Sequence, residues 1–178
     1  MEPETRKQSG RSALRFGVLF FAWLGAMAVL FAALRPWLAT GYMWPLSWAA
    51  AGALEVLGVA SRLGPVQQQA GTCELAVGDV AYLVTFECTG IFALVMCLAA
   101  VLAYPAPASE KVRGLFLVLP AFWLYSAGRL TVMGLVGRYL PAQIELFHAY
   151  LMVLVNVGFV LLLWLYWVSR LAGKEEPS

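Results

Sequence analysis

The stretch "TFECTGIFALVMCLAAVLAY", residues 85–104, decides the fold. From Cys88 to Tyr104 it carries no charge, and immediately before it stands Glu87. A carboxylate and a thiol at the lip of such a run pose a choice. Cys88 is either a core residue that happens to contain sulfur or a nucleophile set at a membrane surface.

Composition favours a membrane setting. The chain has 178 residues, of which 62% are hydrophobic and 12% charged, and it contains seven tryptophans. Soluble domains carry about 25% charged residues. A net charge of +2 is too small to suggest nucleic-acid binding, no basic stripe supports it, and no nucleic-acid partner is expected. Three cysteines without a CxxC pair supply neither a disulfide framework nor a zinc signature. One histidine and few carboxylates argue against a metal cage, and no cofactor is expected.

A helix needs about 20 apolar residues to cross a bilayer. Working outward from 88–104, three more segments fit: 16–34, 114–136 and 144–168. The first follows basic residues as a signal peptide would. Its apolar run is longer than the roughly 7–15 residues of a secretory core, and Arg35-Pro36-Trp37 follows in place of a small-residue cleavage site. It reads as a retained helix.

The expected fold is therefore an all-α integral membrane protein, one domain over 1–178, with four transmembrane helices. Trp44–Ala60 is short, contains Glu55 and begins among Trp37, Trp44 and Trp48, which suit the headgroup region. It reads as an interfacial helix, with Ser47, Ala51, Glu55, Gly58 and Arg62 near one face. The alternative, a fifth crossing, would spoil the charge asymmetry by moving the Lys111/Arg113 loop outside. In the outer segment 35–87, Gly78-Asp79 precedes the β-rich Val80, Tyr82, Val84, and Gly71 marks a second turn. That pattern predicts a short outer-face β-hairpin. The tails 1–10 and 173–178 read as disordered.

Lysine and arginine set the orientation. Arg6, Lys7, Arg11, Arg15, Lys111, Arg113, Arg170 and Lys174 share one side of a four-crossing chain, against Arg35, Arg62 and Arg138 on the other. Both termini are then cytoplasmic in a plasma (inner) membrane.

Ionisable groups inside a crossing are costly and point to function. At about 1.5 Å per residue, Arg129 lies about 22 Å up a layer of roughly 30 Å, and His148 about 6 Å below its outer surface. Cys88 opens its own crossing from the outside. A thiol, a guanidinium and an imidazole thus reach the outer third of the membrane from three helices. The thiolate is the nucleophilic form of cysteine, and neighbouring cations favour it. His148 suits proton transfer to a leaving amine. Arg129 stays charged and suits an oxyanion or a substrate carbonyl. A water-poor setting slows thioester hydrolysis and favours transfer to another acceptor.

Each residue also has a structural reading. Cysteine often behaves as a small hydrophobe, which is how Cys97, in mid-helix, is read here. Cys73 reads as an outer-loop thiol able to pair with Cys88. His148 could serve as an interfacial hydrogen-bonder and Arg129 could snorkel outward. Glu87, Glu145 and Arg138 suit headgroups or water. The common depth of three residues carries the functional reading, and no residue carries it alone.

"ECTG" at 87–90, "SAGR" at 126–129 and His148, each at the outer end of its own helix, resemble the exosortase/archaeosortase family of membrane transpeptidases. That family is built around a Cys in a C-[ST]-G-like motif, an Arg in an N-x-x-R-like motif and a downstream His. The resemblance runs from about Val66 to Trp167, and the small size is similar to the compact bacterial exosortases. It implies Cys88 as nucleophile, His148 as acid/base and Arg129 as stabiliser of the reacting carbonyl, with Glu87, Thr89, Gly90 and Ser126 in support. Ser126 stands where the family usually has Asn.

The implied partners are membrane lipid, a surface acceptor, and exported proteins ending in a recognition motif, a transmembrane helix and a basic tail. Two other readings fit the same residues. One is a non-catalytic membrane assembly or scaffold protein of the same fold. The other is a thiol-redox membrane protein using Cys73 and Cys88.

Overall fold

The computed structural model describes residues 3–170. Its backbone is mostly helical, with one small sheet. Helix α1 (Pro3–Leu38) runs through a π-helical turn (Ala39–Met43) into α2 (Trp44–Val56). Pro36 removes one helical hydrogen bond and clashes with the preceding turn. The π turn begins three residues later, and Pro45, just inside α2, has no backbone N–H to donate back to it. The N-terminal tail is helical from Pro3, while 173–178 lies outside the described residues.

Three strands follow: β1 (Ser61–Gln67), β2 (Thr72–Val77) and β3 (Val80–Thr85), antiparallel in that order. The expected hairpin is the β2–β3 pair, in which Val77 faces Val80 across Gly78-Asp79. Gly78 has φ +59 whereas Asp79 does not have positive φ, the requirement of a two-residue turn with glycine first. The sheet corrects the reading by one strand. Gly64-Pro65 interrupts β1 and shifts its register between Leu63 and Val66, which hid the strand from a pattern search.

Helix α3 (Ile91–Ala103), α4 (Ala108–Tyr139), the short α5 (Ile144–Leu146), a second π turn (Phe147–Leu151) and α6 (Met152–Arg170) complete the chain. Three helical runs are long and apolar enough to cross a membrane: Ala13–Val56, Ala108–Tyr139 and Pro141–Ser169. The segment 88–104, read as a fourth, is helical over only 13 residues. That is about 20 Å of helix against a hydrocarbon layer of roughly 30 Å. Cys88, Thr89 and Gly90 belong instead to a turn leaving the sheet, closed by N–H donation from Cys88 to Thr85 O (3.1 Å) and from Thr89 to Phe86 O (3.2 Å).

Two cores stack along α4. One joins α2 (Leu46, Ala50, Leu54) to the inward face of β2 (Cys73, Leu75, Val77), with Ile91 and Leu130. The other joins α3 (Leu94, Cys97, Val101), α4 (Val118, Phe122) and α6 (Leu163, Trp167). The buried stripe of α4 steps by four residues through Gly114, Val118, Phe122, Ser126 and Leu130. Four-residue steps keep one helical face turned inward. Ser126, the only polar side chain on that stripe, marks the junction between the two cores.

Of the residues read near one face of the 44–60 helix, Ser47 and Ala51 are buried, while Glu55, Gly58 and Arg62 are exposed. Small side chains there let the sheet close on α2, where Ser61 Oγ donates to Ala51 O at 2.9 Å.

Candidate active site

Cys88 emerges from the sheet on a turn held from three directions. Thr85 Oγ1 lies 3.5 Å from Cys88 Sγ. Thr89 turns inward, fully buried, and its hydroxyl donates to Phe86 O at 2.7 Å. Gly90 then takes φ +71, a conformation that L side chains rarely adopt, and α3 starts at the next residue. Cys88 is left half-buried where the sheet meets the helices.

Arg129 arrives from α4, three residues beyond Ser126. His148 arrives from the π turn before α6 and is exposed. π turns inside helices occur often at functional sites, because the extra residue re-aims side chains. Cys88, Arg129 and His148 line a single cavity of about 330 Å³. Leu75, Tyr82 and Val84 of the sheet form another wall, and Glu145 lies at the His148 side. The cavity is mostly apolar with a few convergent polar groups, which is the general form of a binding cleft.

The supporting residues separate into groups. Glu87 faces away from this cavity and lines another, of about 460 Å³, with Arg35 and the aromatic rings of Phe31, Phe86 and Phe92. Thr89 and Gly90 shape the backbone beneath Cys88. Ser126 is fully buried below the cavity; its hydroxyl neighbours that of Tyr42 and meets no partner in strict hydrogen-bonding geometry.

Two residues that sequence reasoning passed over stand with them. The Tyr42 hydroxyl reaches Thr89 O at 3.5 Å. Asn156 of α6 brings a buried, unpartnered carboxamide oxygen. A Cβ placed on Gly90 would stand 3.6 Å from Arg129 Nη1, 3.6 Å from Asn156 Oδ1 and 3.7 Å from Ser126 Oγ. An amide inside an apolar run was the available signal, since polar side chains in such helices seek partners.

All three cysteines are free thiols. Cys73 is fully buried on β2, its Sγ 3.9 Å from Gly64 O. Burial pushes that thiol above its ordinary range, and the neighbouring Glu74 carboxylate adds to the effect. Cys97 is buried in the second core. Among the described residues no group of three or more His, Cys, Asp or Glu side chains is placed to share a metal ion. The chemistry gathered at the cavity is a thiol, an imidazole and a guanidinium. Comparison with protein-family models, with curated proteins and with solved structures gives no match.

Proposed function

We propose that the protein is a membrane-embedded cysteine transpeptidase of the exosortase type. The observation that carries this reading is that Cys88, Arg129 and His148, contributed by three separate elements, line one cavity. The Cys88 thiolate attacks the scissile carbonyl of an exported protein near its C-terminal transmembrane helix. Negative charge then develops on the carbonyl oxygen, and the Arg129 guanidinium stabilises it. The C–N bond breaks, His148 gives a proton to the departing amine, and a thioester on Cys88 remains. A surface acceptor attacks the thioester, its proton passes to His148, and the free thiolate is restored.

In this reading the chain crosses the membrane four times with both termini cytoplasmic, and the sheet and Cys88 face outward. The charge asymmetry supports that orientation. The substrate's own helix lies alongside the protein's helices and presents its outer end at the cavity. The redox alternative needs Cys73 as an accessible partner, and its full burial weighs against that.

The test co-expresses the full chain with exported proteins that end in a short motif, one apolar helix and a basic tail. Membranes are then treated with hydroxylamine, which intercepts thioesters. The expected product is a truncated substrate with a C-terminal hydroxamate, absent with Cys88→Ala and much reduced with His148→Ala. Equal processing by wild type and Cys88→Ala would overturn the proposal.

A further inference from the structure

We infer that Asn156 is a positioning residue for Arg129: its carboxamide oxygen, unpartnered in the structure with Ser126 Oγ nearby, accepts from the guanidinium after a small side-chain shift and turns it toward the cavity that Cys88 lines. The inference rests on the active-site reading above and adds to it a residue on α6 that neither the motifs nor the cavity lining names.

The polar bookkeeping of the fold points to this place. An unpartnered buried polar atom costs about 1–3 kcal/mol. Among the described residues, Tyr125 Oη, Ser126 Oγ and Asn156 Oδ1 are all buried without a hydrogen-bond partner. Tyr125 and Ser126 precede Arg129 by four and three residues, one helical turn on α4. The Tyr125 ring also stacks on Phe159, one turn beyond Asn156, with centroids 4.2 Å apart. Unpartnered polar groups from α4 and α6 therefore lie in the neighbourhood of one cation.

Donor and acceptor character explains the arrangement. A guanidinium carries only donors, and a carboxamide oxygen is an acceptor. Arg129 Nη1, Asn156 Oδ1 and Ser126 Oγ each lie within 3.7 Å of one point, the place a Cβ on Gly90 would take, and neither oxygen accepts a hydrogen bond in the geometry shown. The ion pairs among the described residues are Arg113–Glu110 and Arg138–Asp79, and neither involves Arg129. Neutral acceptors orient a guanidinium without cancelling its charge, whereas a carboxylate at position 156 would cancel it. Arg129 thus keeps its full charge for an oxygen forming at Cys88, with its remaining donors free for the cavity.

The test reads the charge near Cys88 without needing a substrate. Full-length protein in detergent is alkylated separately with iodoacetamide and iodoacetate, which differ by one negative charge, and modification of Cys88 is followed by peptide mass. Arg129→Met is expected to lower the iodoacetate-to-iodoacetamide rate ratio about five- to tenfold, the effect of one nearby charge in a partly screened cavity. Asn156→Leu is expected to lower the ratio to the same level, and Asn156→Gln to keep it near wild type. If Asn156→Leu does not fold, Asn156→Ala removes the amide without adding bulk and carries the same expectation.

A wild-type ratio in the Leu or Ala variant, beside a lowered ratio in Arg129→Met, overturns the inference and leaves the active-site reading standing. So does an equal fall of both rates with the ratio unchanged, the mark of lost packing alone. A wild-type ratio in Arg129→Met overturns the pairing of Arg129 with Cys88, and the inference falls with it.

Discussion

The thiol at position 88 takes its meaning from what faces it. Cys97 and Cys73 share its chemistry but sit in packed cores, while Cys88 is half-buried at a cavity with a guanidinium and an imidazole. Replacing Arg129 by Lys keeps the charge and loses the planar fork that grips an oxygen at two points. Processing is expected to fall about a hundredfold, the scale of one lost oxyanion donor. A substrate-cleavage assay across Arg129→Lys and wild type checks it, and equal rates would show that charge alone suffices.

At Cys73 the raised thiol predicts an order of reaction. Below its shifted range the thiolate fraction is smaller than for an ordinary cysteine, so alkylation of Cys73 lags and accelerates only at more alkaline pH. A pH series of peptide-resolved labelling measures this, and fast labelling of Cys73 at neutral pH would contradict its burial. Cys88, Arg129 and His148 were legible in the sequence because ionisable and nucleophilic side chains stand out in apolar runs. Asn156 was passed over because it is uncharged, although its amide is as costly to leave unpaired in the same run.

At the level of elements, α4 does most of the organising. Its stripe from Gly114 to Leu130 bridges both cores, and the i, i+4 spacing of those residues is visible in the sequence. Phe122 is fully buried on that stripe and meets Phe159 edge to face at 5.1 Å. Phe122→Ala is expected to cost about 3–5 kcal/mol, the range for a deleted core ring. Thermal unfolding in detergent reads it, and an unchanged midpoint would show that α4 and α6 do not pack there.

Gly90→Ala makes a different prediction. The space beside Gly90 admits a methyl group at ordinary contact distances, so the cost is backbone strain at φ +71. That strain is about 1–2 kcal/mol, and the turn carrying Cys88 is where the chain relaxes. The expected outcome is slower Cys88 alkylation with a modest loss of stability; an unchanged rate would mean that the turn tolerates the shift. Helix and strand boundaries were harder to read. Hydropathy cannot distinguish a turn built on Thr89 and Gly90 from the first turn of a helix, so the apolar run 88–104 is longer than α3 itself. A bulged edge strand containing Gly64-Pro65 lacks the alternation by which strands are recognised.

For the whole molecule, the short α3 has a geometric consequence. Its 13 residues reach about 20 Å, roughly 10 Å less than the hydrocarbon layer. In the proposed orientation, with the inner end of α3 at the cytoplasmic boundary, Cys88 would lie below the outer surface with the sheet above it. In that orientation the turn at Gly78-Asp79 would lie on the outer side, where Asp79 is exposed and pairs with Arg138, near the end of α4, at 3.6 Å. Ser109, exposed beside Lys111 and Arg113 at the start of α4, lies at the opposite end. In intact cells a bulky, membrane-impermeant maleimide is therefore expected to label Asp79→Cys readily and Ser109→Cys only after permeabilisation, both in a Cys88→Ala background. Wild-type Cys88 should react slowly with that reagent and faster with a small neutral one, because its thiol sits beneath the level of the turn. Labelling of Ser109→Cys in intact cells would invert the orientation and place the cavity on the cytoplasmic side, where exported substrates could not present their processed ends.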